Sequence, residues 1–112
     1  MPDPHLDHSL ATLLDMVGVY ASPDGWWVKT EASVVPRTAN RPFGVKYSLT
    51  LHDRSGNRVL GYDNAHGIPG HRRVEWDHKH LRDRVRPYSY QSAAKLLEDF
   101  YADVDRWLED EK

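Results

Sequence analysis

The strictest pattern in this sequence is a two-residue alternation that runs from residue 43 to residue 53. Apolar side chains occupy every second position, and polar side chains occupy the positions between them. The apolar set is Val45, Tyr47, Leu49 and Leu51, and the polar set is Lys46, Ser48, Thr50 and His52. A strand of this kind buries one face only. It therefore predicts an antiparallel sheet with one face against a core and one face left polar.

Turn signals divide the neighbouring sequence into further strands. The segment 53–57 contains glycine and asparagine and is typical of a hairpin loop, which predicts a partner strand over 58–64. A second turn at 22–25 precedes another alternating stretch, and this predicts a strand over 26–35. A further short strand is predicted over 73–76.

The two ends of the chain have the periodicity of helices. Leucines and a valine at helical spacing predict a short helix over 8–17, with Asp7 or Ser9 as its cap and Gly18 as its stop. A wide apolar stripe predicts a long helix that starts at Ser89 or Ser92. Its members are Ala93, Leu96, Leu97, Phe100, Tyr101, Val104, Trp107 and Leu108. The expected fold is one α+β domain over 1–112: an antiparallel sheet of three to four strands flanked by a short N-terminal helix and a long C-terminal helix.

Composition narrows the classes of function. The chain has 112 residues and no cysteine, which excludes disulfides, thiolate metal sites and cysteine nucleophiles. It contains no apolar run long enough for a membrane span, and its first residues lack the basic and apolar regions of a secretory signal. We therefore expect a cytoplasmic protein that does not contact a membrane.

The net charge of −2 hides an uneven distribution. Residues 43–91 carry nine bases against five acids, together with five of the seven histidines, whereas residues 92–112 carry seven acids against three bases. One interpretation is that the basic middle faces a polyanion such as nucleic acid. The other is that the two regions pack side by side and neutralise each other.

The candidate site lies around the end of the strand predicted over 58–64. Asp63 closes that strand, His66 follows in a glycine- and proline-rich loop, and His78 and His80 share a face if their segment is extended. Histidine suits both proton transfers of metal-free RNA cleavage because its pKa lies near neutrality, and a carboxylate commonly orients the imidazole. We therefore expect Asp63, His66, His78 and His80 to be the catalytic residues of a metal-independent ribonuclease that needs no cofactor.

Cations and aromatic rings nearby would bind the RNA. The expected phosphate-binding side chains are Arg72, Arg73, Lys79 and Arg82. An unpaired base would stack on one of the rings of Tyr47, Tyr62, Trp26 and Trp27. The last two are adjacent and cannot both face the core, so one of them is expected at an interface with a partner protein or a second copy of the chain.

Three other interpretations stay open. The histidines and arginines are also compatible with a solvated loop that has no chemistry. A metal site is compatible with the residue types, through Asp63, His66, His71, His78 and His80, but their spacing matches no strong metal motif and we expect no metal. The third alternative is a non-enzymatic binding or regulatory module that docks through the polar sheet face and the acidic C-terminal helix.

Short motifs in the second half of the chain resemble the TumE family. They are Tyr47-Ser48-Leu49, then Tyr62-Asp63-Asn64-Ala65-His66, then His78-Lys79-His80, followed by the closing amphipathic helix. The resemblance covers roughly residues 43–108. It implies a growth-inhibiting toxin of a prokaryotic toxin–antitoxin module, silenced by a cognate antitoxin encoded beside it. The positions that match are Asp63, Asn64, His66, His78, Lys79 and His80, and their catalytic roles are our inference.

Overall fold

The computed structural model describes residues 3–64, 77–81 and 84–111. Among these residues, one helix, six strands and a second helix follow one another along the chain. The helices are α1 (Leu10–Asp15) and α2 (Ala93–Asp110), and the strands are β1 (Gly18–Ala21), β2 (Trp27–Val34), β3 (Val45–His52), β4 (Arg58–Asp63), β5 (His78–Leu81) and β6 (Arg84–Pro87). No helix among the described residues is long and apolar enough to cross a bilayer.

The six strands form one antiparallel meander, each paired with its neighbours in sequence. The α+β class and the two flanking helices are confirmed, but the expected count of three to four strands is wrong. The edge strands β1 and β6 were not predicted, because all their residues are exposed and neither strand shows an alternation of buried and exposed residues. Strand β5 was not predicted as a strand either, only as a segment on which His78 and His80 share a face if it is extended. Gly18, predicted as a helix stop, begins β1 instead. The strand predicted over 73–76 lies outside the described residues.

One face of the sheet forms the core with both helices. The alternate residues of β3 are buried there as predicted, against Leu13 of α1 and the apolar stripe of α2. Ser92 caps α2 by accepting a hydrogen bond from the Lys95 amide at 3.1 Å, which confirms the later of the two predicted starts. Helix α1 is shorter than expected.

The other face of the sheet, which we call the polar face, carries most of the candidate chemistry. Cross-strand register places the following residues on it: Trp27, Lys29, Ser48, Thr50, His52, Arg58, Gly61, Asp63, His78 and His80. Arg58 is there because of a register shift between Leu51 and His52, which pairs Arg58 with His52. Without this β-bulge, Arg58 would alternate onto the core face with Leu60 and Tyr62.

Asp7 joins the two helices. Its carboxylate accepts hydrogen bonds from the Ala93 amide at 2.7 Å, from the Ser9 amide at 3.0 Å and from the Tyr90 hydroxyl at 3.3 Å. Burial alone would raise the pKa of Asp7, but the hydrogen bonds from Ser9, Ala93 and Tyr90 outweigh it and lower the pKa below 3.8. Asp7 therefore accepts a backbone hydrogen bond at the start of α2 and another in the turn before α1.

Replacing Asp7 by Ala is expected to lower the free energy of unfolding by about 1–2 kcal/mol, the usual cost of a lost helix cap. Because folding lowers the pKa of Asp7, its contribution is present above pH 3.8 and is lost as the pH falls below the folded-state value. Urea unfolding at pH 7 measures the loss. Asp105→Ala, an exposed carboxylate on α2, is the matched control, and an equal loss in both variants would contradict the role of Asp7.

Candidate active site

A carboxylate held between two imidazoles forms the centre of the site. Asp63 Oδ1 lies 3.0 Å from His78 Nε2, and Asp63 Oδ2 lies 3.4 Å from His80 Nε2. The two imidazole rings meet edge to face, with their centroids 4.8 Å apart. We call these three residues the histidine cluster. The structure therefore brings together residues from two separate stretches of the chain.

Strand register explains the arrangement. Asp63 is directly opposite His78, and His80 is opposite Gly61, so both imidazoles project on the side of the sheet that carries the carboxylate. The prediction that His78 and His80 share one face of an extended segment is thus confirmed. His78 is almost fully buried, with 7% of its side chain exposed, whereas Asp63 and His80 expose 15% and 19%. Of the two imidazoles, His80 is the more accessible to a substrate.

Asn64 secures the end of β4 beside Asp63. Its side-chain Oδ1 accepts from the Tyr47 amide at 2.9 Å, and its Nδ2 donates to the Val45 carbonyl at 2.8 Å. Asn64 is 2% exposed, so both hydrogen bonds are made away from water. The amide side chain continues the pairing with β3 past the last residue of β4. These hydrogen bonds fix the backbone position of the neighbouring Asp63.

The electrostatics of His80 favour a neutral ring. Burial lowers its pKa below the ordinary value of 6.5, and the positive charge of Arg58 lowers it further, while the Asp63 carboxylate acts in the opposite direction. The net lowering keeps His80 uncharged at neutral pH. When Nε2 of a neutral imidazole donates to the carboxylate, the basic lone pair is on Nδ1.

Of the remaining predicted site residues, Lys79 is the one that lies in the described part of the chain. His66, Arg72, Arg73 and Arg82 lie outside the described residues, and their roles stay predictions. Lys79 projects to the core face, where its Nζ lies 3.5 Å from Asp103 Oδ2 and 5.6 Å from the centre of the Tyr62 ring. Its assignment to phosphate binding stays a prediction as well. Lys79 lies on the opposite face of the sheet from the two imidazoles. His71, named for the metal alternative, is also outside the described residues.

Two features of the polar face were not predicted as site residues. Arg58 was not predicted because simple alternation assigns it to the core face. The β-bulge places it on the polar face instead, and no residue pattern in the sequence indicates this bulge. His52 stacks on Trp27 with parallel rings 3.7 Å apart, and its Nε2 lies 2.9 Å from Thr50 Oγ1. Trp27 is thus the member of the tryptophan pair that faces away from the core. The alternation of polar residues along β3 could have indicated that His52 lies on the polar face.

The cluster also has the donor set of a transition-metal site. One donor atom from each of Asp63, His78 and His80 lies within 4.8 Å of the others. Two imidazoles and one carboxylate suit Zn²⁺ or Fe²⁺, since these ions accept mixed nitrogen and oxygen donors. A metal-dependent reaction is therefore the alternative that a chelator distinguishes.

The fold and the site define a small α+β protein whose antiparallel sheet carries a histidine–carboxylate cluster on its polar face. Within that class, the chain belongs to the TumE family: the family model described as Toxin TumE matches residues 24–108, about three quarters of the chain. The match begins well before residue 43, where the resemblance in the motifs starts, and it includes β2. Membership identifies a toxin of a toxin–antitoxin module and implies an antitoxin partner. No curated protein and no solved structure shows a significant match.

Proposed function

We propose that this toxin cleaves RNA by histidine acid–base chemistry without a metal, in the cytoplasm, until its cognate antitoxin binds it. The observation that carries the proposal is the pair of imidazoles directed at the two oxygens of one carboxylate. A carboxylate in this position fixes the ring orientation and stabilises the imidazolium that forms during proton transfer.

The proposed reaction starts at His80, the more exposed of the two rings. Its Nδ1 accepts the proton of a ribose 2′-hydroxyl, and the 2′-oxygen attacks the adjacent phosphorus. The bond from phosphorus to the 5′-oxygen then breaks, and His66 or His78 supplies the proton to that oxygen. The products are a 2′,3′-cyclic phosphate and a 5′-hydroxyl. No oxidant, nucleotide or metal takes part in this balance.

Cations must neutralise the charge that builds on the phosphate oxygens. Arg58 is a cation on the same face as the cluster, and its charge acts on His80. We propose that Arg72, Arg73 and Arg82 add to it from the segments next to β5. The guanidinium group suits this task because its donors match two phosphate oxygens at once.

The purified protein is expected to cleave a single-stranded RNA in the presence of EDTA and to leave 2′,3′-cyclic phosphate ends. The ends are checked by mass spectrometry, and a matched DNA oligonucleotide is the control, because it lacks the attacking hydroxyl. Cleavage that stops in EDTA and returns with Zn²⁺ or Mn²⁺ would overturn the metal-free mechanism. No cleavage under either condition, with growth inhibition intact, would favour the non-enzymatic binding module.

A further inference from the structure

The polar face has an aromatic and cationic surface next to the histidine cluster, and the reaction above uses only Arg58 of it. It consists of the stacked pair of Trp27 and His52 together with Arg58 and Gly61, and we call it the stacking track. Register orders it across the sheet: Trp27 is opposite His52, and His52 is opposite Arg58. Gly61 is opposite His80, so the track leads to the cluster.

The aromatic pair is preorganised. The rings of Trp27 and His52 are 3.7 Å apart with an interplanar angle of 4°, and the contact of His52 with Thr50 orients its ring. On the other side of Trp27, the opposite residue of β1 is Ala21, whose methyl group is too small to cover an indole. One face of the indole is therefore supported by His52, while the other faces a small neighbour.

Arg58 spans the space between the aromatic pair and the cluster. Gly61 has no side chain, and the Arg58 stem lies over it: a Cβ added at Gly61 would be 3.6 Å from Arg58 Cδ and 3.4 Å from Thr50 Cγ2. Gly61 is opposite His80 of β5, and the charge of Arg58 acts on the His80 ring. A phosphate bound by Arg58 would then lie between the rings and the reacting imidazole.

The spacing suits a short stretch of nucleic acid. Neighbouring strands are about 4.8 Å apart and side chains on one face repeat about every 7 Å along a strand, which puts Trp27 roughly 16 Å from His80 and Arg58 roughly 8 Å from it. This separation is of the order of a few nucleotides. A ring, a guanidinium and an imidazole thus follow one another as base, phosphate and cleaved linkage do in a single strand.

We propose that the stacking track binds single-stranded RNA, with a base on the Trp27–His52 pair and its phosphate on Arg58, next to the linkage that the histidine cluster cleaves. This proposal rests on the proposed ribonuclease activity and adds its substrate class, an unpaired strand. Base-paired RNA would be excluded, because a base inside a duplex has no free face to stack on an indole. Stacking is tolerant of base identity, so the track selects unpaired RNA rather than a particular sequence.

The test measures binding apart from cleavage. The ligand is a fluorescent, mixed-sequence 2′-O-methyl oligonucleotide, which lacks the attacking hydroxyl and cannot be cut. Trp27→Ala is expected to weaken its binding at least tenfold, and Trp27→Phe should restore most of the affinity. Arg58→Ala is expected to weaken binding and to reduce the slope of log affinity against log salt by about one. The same oligonucleotide in a duplex should bind more weakly.

Two matched controls remove an equivalent group elsewhere. Tyr20→Ala removes an exposed aromatic ring from β1, and Arg106→Ala removes an exposed guanidinium from α2, on the other side of the sheet. Both should bind the oligonucleotide as the parent does. Thermal unfolding of each variant confirms that it is folded.

The outcomes separate this proposal from the ribonuclease mechanism. If Trp27→Ala and Arg58→Ala bind like the parent, or if the parent does not bind, the track is not the RNA site, whatever the cleavage assay shows. If both variants lose binding while the parent cleaves no RNA, the track stands and the ribonuclease mechanism fails. A parent that prefers the duplex would overturn the unpaired-strand assignment.

Discussion

Replacing His80 by Ala is expected to lower RNA cleavage by about 10²–10⁴-fold, the usual contribution of a positioned general base, and to abolish growth inhibition on induced expression. The ring is 19% exposed and stands on a short strand held by backbone pairing, so its removal should leave the fold intact. His80→Gln is the companion variant, because the amide can still donate to Asp63 but cannot accept and release a proton at neutral pH.

His8→Ala is the control for this result, since His8 is exposed and lies before the family match. The control should cleave RNA and inhibit growth as the parent does. Folded His80 variants that remain as toxic as the parent would refute the assignment of the base. Loss of toxicity accompanied by loss of the thermal transition would show instead that His80 acts through stability.

The pH dependence gives a second readout of the same prediction. The base must be neutral, so the rate falls as the pH drops through the pKa of His80, and that pKa lies below 6.5 because of burial and the charge of Arg58. Arg58→Ala removes the positive charge and raises the pKa of His80, so the acid limb of the rate profile should move to higher pH. Arg106→Ala, across the sheet, should leave the limb where it is in the parent. An unchanged limb in Arg58→Ala would show that another group limits the rate.

Replacing Asn64 by Ala is expected to cost about 2–4 kcal/mol of unfolding free energy. The variant leaves the Tyr47 amide and the Val45 carbonyl without their side-chain partner in a buried position, and each such loss costs about 1–3 kcal/mol. Because Asn64 follows Asp63 directly, the variant should also lower cleavage under conditions in which it is still folded. Urea unfolding and single-turnover cleavage measure the two effects.

Asn57→Ala, in the exposed hairpin, is the matched control and should change stability by less than about 0.5 kcal/mol. Asn64→Asp provides a stricter comparison. It keeps an acceptor for the Tyr47 amide but replaces the donor to Val45 with a buried carboxylate, so it should be at least as unstable as Asn64→Ala. Either Asn64 variant with parental stability would contradict the structural role of this amide.

The predictions from the sequence succeeded where burial is periodic. The alternation of β3 and the stripe of α2 each describe one buried face, and the structure buries those faces against each other. Ser92 was one of the two predicted starts of α2 because its short side chain can satisfy an amide that the helix leaves open. The motif residues Asp63, His78 and His80 were expected to converge, and they lie within hydrogen-bonding distance.

The predictions failed where structure depends on pairing rather than burial. Strand β1 joins the sheet through backbone contacts with β2, with Val19 opposite Lys29, and none of its side chains is buried. Strand β6 joins β5 in the same way. Backbone hydrogen bonds do not depend on side-chain type, so the residue pattern of such an edge strand gives little indication of its structure. The hydrogen bond from the Ala93 amide to the Asp7 carboxylate joins residues that are far apart in the chain, and no local sequence pattern indicates it.

The sequence by itself determined the class of fold, the core, and the residue types available for acid–base chemistry, because side-chain hydrophobicity and periodicity are local properties. Only the tertiary structure decided the six-stranded sheet, the position of Arg58 beside His80, the separation of Lys79 from the imidazoles, and the stack of Trp27 on His52. Each of these depends on which residue of one strand is opposite which residue of the next. A shift of one residue moves a side chain to the other face of the sheet, and register is set by contacts between distant parts of the chain.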